Sequence, residues 1–143
     1  MSCVWQGILT AIKHDFSSHM EDEMKHKIQA LDIKSVLSLL KNSNRKTPNV
    51  TWNKEKLSDK LMEDNLSHID QLDVNCLNDG YMCSTCDPIF ILLCEIFNIN
   101  IEHTYINNTM YYEYTHPTNR TRMTYIFKSD HGHFWFVSNR VLK

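Results

Sequence analysis

At 143 residues the chain has room for a single domain, residues 1–143, with one substantial core. Hydrophobic residues make up 42% and charged residues 22%, and no apolar run approaches the ~20 residues of a membrane span, so no membrane role is expected. A net charge of −2 with both signs interspersed argues against nucleic acid as the partner. The sequence opens without a basic segment, apolar stretch and cleavage site, so a cytoplasmic setting with its five cysteines reduced is expected.

The first element carries a cysteine. In Ser2-Cys3-Val4-Trp5-Gln6-Gly7-Ile8-Leu9, the apolar residues Val4, Ile8, Ala11 and Ile12 recur at three- and four-residue spacing, which predicts a buried helix beginning at or beside Cys3. A helix start favours the thiolate, the form of a cysteine that attacks carbonyl carbons. After a polar stretch at residues 19–30, Ile33, Val36, Leu37 and Leu40 predict an amphipathic helix. Residues 42–50 read as a solvated loop, and Lys41, Arg45 and Lys46 beside and within it are too few for a phosphate-binding patch. Leu57, Leu61 and Met62, then Leu66, Ile69 and Leu72, predict two short helices before a turn at Asn78-Asp79-Gly80.

Asp87-Pro88 is a helix opening, with aspartate as N-cap and proline in the first helical position. Residues 89–97 are apolar almost all round, so this helix should be the most buried. Strands are expected at 100–105, 110–114 and 123–128, with a fourth after His133. Turns at Asn107-Asn108 and His116-Pro117-Thr118-Asn119 suggest antiparallel connections. The order is α+β, a helical first half followed by an antiparallel sheet.

His133, in Asp130-His131-Gly132-His133-Phe134-Trp135-Phe136-Val137, opens that last aromatic strand and would present its ring from a rigid element. A cysteine opening an early helix and a histidine opening a late strand are the two halves of a cysteine hydrolase, nucleophile and base. His131 is the competing base. His133 is preferred because Gly132 lets the backbone turn into the strand.

These segments resemble the ovarian-tumour (OTU) family of papain-like cysteine proteases, whose members mostly remove ubiquitin or ubiquitin-like modifiers. Cys3 with Trp5, Ile8 and Ile12 is similar to that family's nucleophile helix. The stretch Leu77-Asn78-Asp79-Gly80-Tyr81-Met82, then residues 87–97 and Asn100-Ile101-Glu102, is similar to its loop, buried helix and following strand, and His133-Phe134 to its histidine and aromatic. The resemblance implies a papain-like fold and a thiol protease or deubiquitinase acting in the cytoplasm as a monomer, in the host cytoplasm if viral, with ubiquitin or a relative as partner and no metal or cofactor.

The family's Asp-Gly lead before the cysteine is replaced by Met1 and Ser2, and Trp135 stands two after the histidine, where Asp or Asn is common. Asp130 or Asn139 would then orient His133, or a Cys–His dyad would act alone, as in compact viral members of the family. The N–H groups of Ser2 and Cys3 would hold the oxyanion, and Trp5, Phe134 and Trp135 would wall a cleft narrow enough for a glycine-ended tail. The picornaviral leader protease, another small papain-like enzyme with an early cysteine, is a second resemblance. An inactive OTU-like module binding a host partner is the rival from another class. A third reading, zinc held by Cys76, Cys83, Cys86 and Cys94, is disfavoured because Cys94 falls within the buried helix and Cys83–Cys86 has no second close-spaced pair.

Overall fold

The computed structural model describes residues 7, 8, 10, 11, 33–72, 87–116, 122–130 and 134–142. The polar stretch at 19–30 and the turn at 78–80 lie outside them. Among the described residues, a helical segment carries Gly7, Ile8, Thr10 and Ala11, three longer helices follow, and six strands form one mixed sheet.

Helix α1 (Ile33–Asn42) buries Val36, Leu37 and Leu40 on one face, as their spacing predicts. The two short helices expected between Leu57 and Leu72 are one, α2 (Asp59–Asp70), started by Ser58, whose Oγ accepts from the Leu61 N–H at 3.1 Å. The two helices are tied by polar contacts at their ends. The Lys41 ammonium donates to the Leu72 carbonyl at 2.5 Å, and the Asn44 amide donates to the Leu66 carbonyl at 2.8 Å.

Helix α3 (Asp87–Phe97) touches α1 and α2 on one side and the sheet on the other. Its apolar circumference demands that position, and residues 89–94 are fully or almost fully buried. The buried Glu95 carboxylate is the polar exception. It accepts from the backbone and side-chain amides of Asn49 at 3.3 and 3.2 Å, fixing the chain just ahead of the first strand. Asn98 ends α3 in the left-handed region, φ 57°, and the Ile99 N–H donates to the Cys94 carbonyl at 3.3 Å, the hydrogen bond of a Schellman cap.

The strands are β1 (Val50–Trp52), β2 (Glu55–Lys56), β3 (Asn100–Tyr105), β4 (Asn108–Tyr114), β5 (Arg122–Ser129) and β6 (Phe134–Leu142), in the order β2-β1-β4-β3-β5-β6. The sheet is mixed, which corrects the expectation of an antiparallel one: β3 and β5 are parallel, and the other four pairings are antiparallel. After β4 the chain passes to the far side of β3 instead of turning back beside β4, so β5 runs with β3. The β1–β2 hairpin falls partly in the region read as a loop. Its turn places Asn53 and Lys54 at φ 50° and 72°, the two positive values of a type I′ turn, without a glycine to announce it.

The β3–β4 hairpin holds an anomaly. Tyr105 pairs with Asn108, and the first residue between them, Ile106, has φ 55°, a conformation that hairpin turns normally give to glycine. Its β-branched side chain is 46% exposed, so packing does not compel it. Ile106→Asn, which tolerates the left-handed region, should raise stability by about 1 kcal/mol, read as a higher urea midpoint at unchanged slope. An equal or lower midpoint would show that the isoleucine side chain makes compensating contacts.

Candidate active site

The helical segment that follows Cys3 in sequence meets the strand that follows His133. Ile8 and Ala11 are completely buried, and Gly7 lies directly on Phe134, the first residue of β6. A methyl group on Gly7 would stand 2.6 and 2.8 Å from two carbons of the Phe134 ring and 3.6 Å from the Phe136 nitrogen. A glycine within a helix costs about 1 kcal/mol against alanine, and here the missing side chain is what permits so close an approach.

Phe134 is held on its other sides by rings. It stacks on Phe127 at 5.3 Å and on Phe90 of α3 at 5.8 Å between centroids, and lies tilted against His103 of β3 at 5.4 Å. Only 7% of it is exposed. Phe134 therefore acts as a packing residue joining helix segment, sheet and α3, and this corrects the expectation that it walls a substrate cleft. Trp135, next in the strand and pointing to the opposite face, is 42% exposed and remains available for that role.

His103 is the buried polar group that sequence reasoning passed over. It lies on the α3 side of the sheet with Ile101, as strand alternation requires, and its Nε2 shares a 2.7 Å hydrogen bond with the Ser129 hydroxyl. Nδ1 is buried without a hydrogen-bond partner, facing no acceptor for an added proton. Burial lowers the His103 pKa from 6.5 to about 4, so the ring is neutral at pH 7. The signal was present in Asn-Ile-Glu-His-Thr-Tyr, where His103 alternates in step with Ile101.

Ser129 and Phe134 are paired across β5 and β6, so residues 130–133 form a short connection between two fixed stems. Asp130 is exposed on the first stem's side. Asn139 is half-buried opposite Tyr125, five residues beyond Phe134, or about 16 Å along a strand. Between them β6 carries a bulge: Ile126 opposes Ser138 while Phe127 opposes Phe136, which leaves Val137 as the extra residue. Ser2, Cys3, Trp5, His131 and His133 lie outside the described residues, as do Cys76, Cys83 and Cys86.

Cys94 is placed, and it is inert. Its thiol is completely buried, donates to the Tyr112 carbonyl at 3.8 Å, and has its pKa pushed well above the ordinary range by burial and then by the neighbouring Glu95 carboxylate. Among the described residues no three His, Cys, Asp or Glu side chains gather to hold a metal, and no helix is long and apolar enough to cross a membrane. Comparison with family models, curated proteins and solved structures finds no match to the chain.

Two outcomes follow from this packing. Gly7→Val should destabilise by about 1–3 kcal/mol through overpacking against Phe134, seen as a lower urea midpoint. For His103, the unfolded ring takes a proton near pH 6.5 and the folded ring only near 4, so its contribution to stability is full above 6.5 and is lost as pH falls toward 4. The full effect is at most about 3 kcal/mol. His103→Phe should therefore flatten the fall in urea midpoint between pH 7 and 4.5, and an unchanged slope would show that His103 does not titrate as described.

Proposed function

We propose that the protein is a papain-like cysteine hydrolase of OTU type, a thiol protease that cleaves ubiquitin or ubiquitin-like conjugates in the cytoplasm, in keeping with a compact viral deubiquitinase. The observation that carries this reading is the contact of Gly7 with Phe134. Cys3 precedes Gly7 by four residues, one helical turn and about 6 Å on the same face if the segment continues back to it. His133 is bonded to Phe134, with neighbouring Cα atoms about 3.8 Å apart. The contact of Gly7 with Phe134, one turn after the one candidate and one position after the other, is what supports pairing Cys3 with His133.

In the reaction, the Cys3 thiolate attacks the carbonyl carbon of the scissile bond and the N–H groups of Ser2 and Cys3 hold the oxyanion. The imidazolium of His133 gives its proton to the leaving amine. Water then enters, His133 takes its proton, and the thioester is hydrolysed to free Cys3. Asp130, at the connection that carries His133, is better placed than Asn139 to orient that ring, because about 16 Å of strand separates Asn139 from Phe134. Trp135, with Trp5, supplies the aromatic wall for a glycine-ended tail. The exposure of Trp135 supports that role.

A ubiquitin probe with a C-terminal electrophile tests the assignment. It should label the wild-type protein at Cys3 and fail on Cys3→Ala and His133→Ala, and the double variant should be no worse than either single one, since the two act as a unit. Absence of labelling and of hydrolysis of ubiquitin, ubiquitin-like and peptide substrates, with partner binding unaffected by Cys3→Ala, would replace the enzyme with a binding module.

A further inference from the structure

We draw no further inference here: the strongest candidate, the exposed apolar patch at the end of the sheet where the β3–β4 turn carries Tyr105 and the strained Ile106 and the edge strand β6 carries Trp135, has nothing in the structure to show what covers it.

Discussion

The ring of Phe90 is the point through which helix and sheet are joined. From α3 it meets His103 and Tyr112 edge-on at 5.3 and 5.5 Å, and stacks with Phe127 and Phe134 at 5.4 and 5.8 Å, so one side chain touches rings from β3, β4, β5 and β6. Each such pair is worth about 0.5–1.5 kcal/mol beyond the area it buries. The consequence is geometric as well as energetic. An edge strand is normally the loosest part of a sheet, yet the first residue of β6 is locked between α3 and the Gly7 segment.

The opposite face of the sheet is arranged for water. Glu102 pairs with Arg140 and Lys54 with Glu113 at 2.6 Å, while the Thr104 and Thr109 hydroxyls share a 2.9 Å bond across the β3–β4 pair. Exposed pairs of this kind add little stability and fix register instead. Both sheet edges are blunted. β2 is two charged residues long, and β6 carries the bulge at Val137, so neither offers a long flat ladder to another chain. Alternation about β6 leaves Trp135 on the wet face, next to the packed Phe134 and at the end of the sheet where residues 130–133 connect the strands.

What could be read from the amino acids alone was whatever was local. Asp87-Pro88 followed by a run apolar but for Glu95 specified α3, and the alternation of Asn100 to Tyr105 specified β3 at the same bounds. What could not be read depended on distant partners. The three residues of β1 and two of β2 exist as strands because β4 offers a register, and their turn uses Asn53 and Lys54 where a glycine would have marked it. Helix α2 reads as two short helices because its buried residues, Met62 and Ile69, lie two turns apart with Glu63, Asp64 and Ser67 exposed between them. The parallel β3–β5 pair is a matter of strand order, which hydropathy does not encode. His103 was legible by alternation and hidden by its polarity, since a histidine at a core position looks like an interruption of the strand pattern.

His103 illustrates how environment sets what an imidazole can do. His103, walled by Phe90 and Phe134, is neutral down to about pH 4 and can hold Ser129 without acquiring a charge that the rings would have to accommodate. A group in that state makes a poor general base, because its conjugate acid is too strong to keep the proton of a thiol near pH 7. A base needs a pKa near the working pH, which requires water or a carboxylate near the ring. On the proposed reading the division is one of environment: the imidazole walled by rings stays neutral and fixed, and proton exchange falls to His133.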